Sequence, residues 1–362
     1  MEMAIALAAA GVLALIVSAA ITPVVILVSH RRKWYDIPNE RKIHNNPIPR
    51  LGGIGIFFGL LVSALAVPLL VPVLFPGSWP MSYTLHYVPV LVAFALIHCM
   101  GLVDDFHNLH ALLKFLMQIV AASLVTVGGF TISVVSIPGL APFSLGIFAY
   151  PITVLWIVSI TNAINLMDGI DGLAGGIAAL SALSLGIMSL LHGRANPAVL
   201  SFCLFGAVLG FLIFNFPPAK VFMGDSGSLL LGFVLAVIPL LGTSGAVSIG
   251  SMFAPATVLL IPIMDTVSAI VRRARENRPI YSPDKQHIHH KLLALNVKET
   301  SILLIIYGAC VVLGASAIGS LYLSRALGAL LLALVWLIAL LAFGILNAIR
   351  RKRKAVPASL RG

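Results

Sequence analysis

Runs of apolar residues long enough to cross a lipid bilayer recur along the whole 362-residue chain. A bilayer-spanning helix needs about 20 such residues, because the hydrocarbon core is about 30 Å thick and a helix rises about 1.5 Å per residue. Only 10% of the residues are charged, against about a quarter in soluble domains. Eleven spans are expected, at roughly 3–29, 51–75, 87–103, 112–128, 147–164, 172–191, 198–216, 227–243, 251–271, 301–321 and 326–348. The predicted fold is an all-α polytopic integral membrane protein. Residues 1–349 form a single transmembrane domain and 350–362 a basic tail.

The charges orient these spans. Glu2 precedes the first run and His30-Arg31-Arg32-Lys33 follows it. A signal peptide has the opposite charge order, so this run reads as a retained span with its N-terminus outside. Eleven crossings then place the C-terminus inside. On that topology only Arg194 and Arg325, of 23 Lys and Arg residues, fall outside, a strong positive-inside bias. The formal charge of +11 thus reports topology and contact with membrane lipids, not nucleic acid. The inside loops are 30–50, 104–111, 165–171, 217–226 and 272–300. Outside, Thr131–Pro138 alternates polar and apolar residues, which suits a small β-hairpin. Cys99, Cys203 and Cys310 lie in apolar runs without metal-site spacing and read as small buried residues.

All acidic residues except Glu2 lie at or near the inside face on this topology. Asp104-Asp105 ends the third span, and Lys114 follows early in the fourth, from where it can snorkel to the same face. Asp-Asp pairs also simply end helices. Asn162, Asn165, Asp168 and Asp171 recur every three residues, so a helical turn would align them on one face. Four polar groups in one stripe at a membrane border are hard to explain as packing. Asn215 precedes the helix-stopping Pro217-Pro218. Asp225 then opens the eighth run, either as a helix N-cap or as a ligand. These oxygens suit a hard cation such as Mg2+, which takes a few carboxylates, phosphate and water. Asp265, inside the ninth span, reads equally as a buried polar contact or as a catalytic group.

Cations face these acids. Lys42 and Arg50 flank Pro47-Ile-Pro49 ahead of Gly52-Gly53, and can meet phosphate. The loop 272–300 carries Arg278 and His287-Ile-His289-His290. Three histidines suggest zinc at first sight, but a closed zinc site needs about four ligands. The surrounding Arg and Lys favour an anion.

In order along the chain, Lys-x-His-x-x-Pro-x-Pro-Arg-x-Gly-Gly, Asp-Asp with its following Lys, Asn-Ala-x-Asn-x-x-Asp-Gly-x-Asp-Gly-Leu, Val-Phe-x-Gly-Asp-x-Gly-Ser and His-x-His-His resemble the polyprenyl-phosphate N-acetylhexosamine-1-phosphate transferase family. The loop from Ser282 to Leu293 lacks the three consecutive histidines and Phe-Glu of phospho-MurNAc-pentapeptide translocases. It resembles the WecA/TagO-type branch, which moves GlcNAc-1-phosphate from UDP-GlcNAc to undecaprenyl phosphate at the cytoplasmic membrane. The resemblance implies that Asp225, Asn165 and Asp104 hold Mg2+ (with Mn2+ as a possible substitute) and the diphosphate. Asp105 and Asp168 become further catalytic candidates, and Lys114 a phosphate ligand. Asp171, Asn215 and Phe222 would frame the uridine, with His289 and His290 near the diphosphate. Lys42, Arg50, Asn162, His287 and Arg278 complete the expected substrate-binding set, with Arg278 near the sugar. The phospho-MurNAc-pentapeptide or another UDP-HexNAc reaction is the alternative, and a cation-coupled transporter a remote one. The oligomeric state is open, a homodimer among the options.

Overall fold

The computed structural model describes residues 2–36, 47–74, 87–136, 141–241, 247–248, 250–279 and 286–355. Lys42 and the tail beyond 355 lie outside them. The protein is a bundle of helices: α1 (Glu2–Arg32), α2 (Gly53–Leu74), α3 (Val88–His107), α4 (Ala111–Val127), α5 (Ala149–Leu166), α6 (Leu173–Leu191), α7 (Ala195–Asn215), α8 (Gly224–Val237), α9 (Phe253–Val258), α10 (Leu260–Arg275), α11 (Ile288–Leu293), α12 (Glu299–Ser320) and α13 (Arg325–Ala355). Each expected span coincides with a helix or a consecutive pair. Eight described helices are long and apolar enough to cross a membrane. The α9–α10 pair, expected as one straight span, is bent by 91°. Helices α4 and α8 are shorter than a full span. The architecture is that of a multi-pass membrane protein.

Two small sheets accompany the bundle. Strand β1 (Tyr35–Asp36) pairs antiparallel with β2 (Ile48–Pro49). The alternating segment near 131–138 supplies β3 (Ile132–Val135), antiparallel to β4 (Phe143–Ser144) and parallel to β5 (Val247–Ser248).

Helix α8 is the centre of the bundle. Every residue from Ser226 to Val237 is buried, and α8 packs against α2, α3, α5 and α6. Between helices surrounded by lipid, association rests on close van der Waals packing, which small residues allow. Gly101 of α3 shows this at the point that matters most. A Cβ there would sit 2.6 Å from the Asp225 carbonyl oxygen and from the Ser226 Cα and amide nitrogen. Those are backbone atoms of the first turn of α8, which cannot turn aside as a side chain would. The cysteines are free. Cys203 and Cys310 are buried as expected, but Cys99 faces outward from α3.

Gly101→Ala therefore displaces the start of α8 and costs about 1–3 kcal/mol, as overpacking does. Gly308→Ala, where a Cβ meets nothing within 4 Å, is expected to leave the melting temperature of the detergent-solubilised protein unchanged. Equal melting temperatures for both variants would contradict this packing.

Candidate active site

The end of α3, the starts of α4 and α8, and the end of α5 meet at one end of the bundle. Lys114 Nζ donates to Asp104 Oδ2 at 2.9 Å and to Asp225 Oδ2 at 3.0 Å. The Asn165 amide donates to Asp225 Oδ1 at 3.2 Å and to Ser228 Oγ at 2.8 Å. Asp104 Oδ1 accepts the Leu109 amide, which closes the turn after α3. One ammonium thus sits between carboxylates from two helices, partly open to solvent.

Asp105, expected as a catalytic carboxylate, meets the start of α8. Its Oδ1 accepts the Asp225 amide at 2.8 Å and its Oδ2 the Ser226 amide at 3.1 Å. It thereby satisfies two of the amides that a helix start leaves without intrahelical partners, and its negative charge suits the positive end of the helix dipole. Asp225 is not the N-cap that its position suggested. Helix α8 begins at Gly224, which leaves the Asp225 side chain to Lys114 and Asn165. Gly224 has φ +70°, and a Cβ there would lie 2.5 Å from Asp105 Oδ2.

The expected four-residue stripe does not form. Helix α5 ends at Leu166, so Asp168 and Asp171 sit in the following loop and only Asn165 reaches the Lys114 cluster. Asn162 turns to α4, where its amide donates to Gln118 Oε1 at 2.5 Å, and it also bonds Val158 O at 2.8 Å. Asp171 Oδ2 accepts the Ala219 amide at 2.9 Å. Asn215 is buried, with Oδ1 on the Gly172 amide at 3.0 Å and Nδ2 on Val221 O at 2.8 Å. Both ends of its side chain therefore tie loops together. The segment carrying Arg50 is likewise tied down. Phe222 N bonds Pro49 O at 2.7 Å, and the Gly52 and Gly53 amides bond Phe222 O and Met223 O at 2.9 Å each. Arg50 and the half-buried Phe222 thus border the start of α8.

Asp168 is open to solvent, yet the protein around it strips hydration from its charged form. That loss comes first, and repulsion from Asp225, Asp105 and Asp171 adds to it, pushing the carboxyl up to about 7. His289, in α11, is 1% exposed, and neither ring nitrogen has a hydrogen-bond partner among the described residues. Burial, then the neighbouring His290, holds its imidazole down at about 3, with Asp265 pulling the other way. It is therefore a neutral imidazole at physiological pH. Its ring centroid lies 4.3 Å from that of His290. His287 and Asp265 are bonded to each other at 2.6 Å and buried. Arg278, exposed three residues beyond the end of α10, donates to Glu276 at 3.2 Å.

Sequence reading missed Ser228, His98 and Tyr307. Ser228 stands three residues after Asp225, a spacing that predicts the shared helix face. His98 Nδ1 lies 3.1 Å from Ser226 O, and Tyr307 donates to Gly172 O at 2.7 Å. Neither carries a local signal.

The donor set near Lys114 is hard oxygen, and the ammonium between Asp104 and Asp225 marks a place where positive charge is stabilised. A divalent cation that keeps water and borrows substrate oxygens fits such a set. Among the described residues, no three His, Cys, Asp or Glu side chains converge to hold a metal ion.

Fold and site together define a multi-pass membrane protein with a cation-and-anion centre at one end of its bundle. The chain belongs to glycosyl transferase family 4, whose family model matches residues 87–243. It is 36% identical over 307 residues to a probable undecaprenyl-phosphate N-acetylglucosaminyl 1-phosphate transferase of Bacillus subtilis, covering 84% of this chain and 82% of that one. It is 36% identical over 323 residues to a decaprenyl-phosphate N-acetylglucosaminephosphotransferase of Mycobacterium tuberculosis, covering 83% and 79%. It is 28% identical over 268 residues to the undecaprenyl-phosphate alpha-N-acetylglucosaminyl 1-phosphate transferase of Escherichia coli, covering 71% and 68%.

Asp105→Ala orphans two helix-start amides and is expected to lower stability by about 2–4 kcal/mol, measured as unfolding in detergent. Asp168 behaves oppositely. Its folded-state pKa lies above the unfolded value, so its contribution to stability is full below about pH 4 and declines as pH rises through about 7. Asp168→Asn is expected to raise the melting temperature at pH 8, with the gain vanishing toward pH 4. A pH-independent difference would exclude this environment for Asp168.

Proposed function

We propose that this protein transfers GlcNAc-1-phosphate from UDP-GlcNAc to undecaprenyl phosphate, giving GlcNAc-diphospho-undecaprenol and UMP. The observation that carries this reading is the Lys114 ammonium held between Asp104 and Asp225 at 2.9 and 3.0 Å, in a chain of this family. The relatives from Bacillus subtilis (a probable one), Mycobacterium tuberculosis and Escherichia coli are named for transfer of an N-acetylglucosamine phosphate group to undecaprenyl or decaprenyl phosphate, which supports the same acceptor class and group here. The basic inside loops support a site facing the cytoplasm in a bacterial inner membrane. The product initiates an envelope polysaccharide such as O-antigen or teichoic acid.

An oxygen of the lipid phosphate attacks the β-phosphorus of UDP-GlcNAc. A P–O bond forms on one side, and the bond to UMP breaks on the other, with UMP taking the electron pair. The lipid phosphate is largely ionised near neutral pH, so no strong base is needed. Positioning and charge stabilisation dominate such transfers. Lys114 binds phosphate oxygens, while Asp104 orients the ammonium and the incoming nucleophile. Phe222 stacks on the uracil. His289 and His290 meet the diphosphate; the neutral His289 ring has one donor and one acceptor nitrogen for it. Asp225, Asn165 and Asp104 would hold Mg2+, which neutralises the diphosphate when bound. Asp168 stands near enough for the charges of Asp225 and Asp105 to repel its own.

Purified protein with radiolabelled UDP-GlcNAc, undecaprenyl phosphate and Mg2+ is expected to yield organic-extractable label and stoichiometric UMP. UDP-GalNAc and UDP-MurNAc-pentapeptide should give little. Asp225→Asn should reduce turnover about 10²-fold or more, as loss of a charge-stabilising group does. Wild-type turnover by that variant would remove the metal assignment. A trapped carboxyl-phosphate would replace direct displacement with a two-step route.

A further inference from the structure

Asp265 lies in α10, an apolar segment up to that point, and is 1% exposed. A carboxylate in such surroundings is retained only with strong partners. Both of its oxygens are committed to one short segment. Oδ2 lies 2.6 Å from His287 Nδ1, and Oδ1 accepts the Ile288 amide at 2.8 Å. Facing a carboxylate, His287 Nδ1 must carry its hydrogen. Together these two bonds hold the start of α11 to α10.

The next two residues of α11 after Ile288 are the pair His289–His290. On its far side, His289 lies against Gly169, where any Cβ would overlap the imidazole ring. Gly169 adjoins Asp168 in the loop after α5. The other end of α11 is also fixed: Lys291, 1% exposed, places Nζ 4.2 Å from the ring centroid of Phe343 in α13. Helix α10 itself packs on α5, whose last turn carries Asn165. The carboxylate therefore relates the histidine segment to the same helix that presents Asn165 to Asp225.

We propose that Asp265 is a positioning residue for the transfer reaction. Through His287 and the Ile288 amide it sets the depth and orientation of His289 and His290 over the Asp168–Gly169 loop. It touches no substrate itself. His287 is correspondingly a link in this latch, not a substrate ligand. The functional part rests on the reading that His289 and His290 meet the diphosphate; the structural part does not.

Hydrogen exchange on the full-length, detergent-solubilised protein reads the latch without substrate. Asp265→Ala should speed exchange at residues 287–294 by about tenfold or more, as release of a local fastening does, and leave residues 226–237 unchanged. Asp265→Asn keeps the shape and an acceptor for Ile288, and should give a smaller increase at the same residues; it carries the test if the alanine variant does not fold. In UMP-release assays each of Asp265→Ala and His287→Ala should lower kcat more than it raises KM. The double variant should be within about threefold of the worse single one, because the two act as one unit. Unchanged exchange at 287–294, or single effects that multiply in the double variant, overturns the proposal. Absence of wild-type turnover would instead overturn the functional reading and leave the exchange result standing.

Discussion

The Asp105 carboxylate on the first amides of α8 is the contact on which the rest of the site depends. Helix α8 is buried from Ser226 to Val237 and packs against four other helices, so amides at its start have little water to bond. Buried amides left without acceptors are costly. Asp105 supplies two acceptors at 2.8 and 3.1 Å from the end of α3, the helix that Gly101 lets approach within contact of the α8 backbone. This places Asp225 one residue into the helix, with its side chain turned to Lys114. The backbone bonds between 49–53 and 222–223 complete the collar around the same point.

The polar residues of the motifs divide into fasteners and open groups. Asp105, Asp171, Asn215, Asp265 and His287 each hydrogen-bond other parts of the protein. Asp104, Lys114, Asn165, Asp168 and Asp225 surround a region that solvent reaches in part. The division follows from chemistry near a membrane: loops that turn there carry backbone groups that only polar side chains can satisfy. A chemically active centre in such a place therefore needs more polar residues than the reaction uses.

The helices and the approximate spans were legible because apolar runs of this length admit little else. The Lys114 cluster was legible in outline, since Asp104, Asp225 and Asn165 do meet. The division of labour was not. Asp104 and Asp105 are neighbours with identical side chains, yet consecutive residues on a helix point about 100° apart, so one faces the Lys114 ammonium and the other the α8 backbone. The three-residue spacing of Asn162 to Asp171 promised one face, but α5 stops at Leu166, and the loop sends each remaining carboxylate its own way. The 91° bend between α9 and α10 falls three residues before Pro262, a helix breaker that the length of the apolar run does not register.

Sequence by itself determined that this chain lies in a membrane and carries its ionisable residues in a few ordered clusters. Periodicity, apolar length and charge asymmetry are local properties, and local properties survive without a fold. Tertiary structure alone decided which carboxylate holds a helix and which faces the open site. That choice depends on which backbone amides arrive beside each side chain. Asp105 meets amides from residues 225 and 226, and Asp265 meets one from residue 288. No spacing along the chain encodes those approaches; the packing of α3 on α8 and of α10 on α5 creates them.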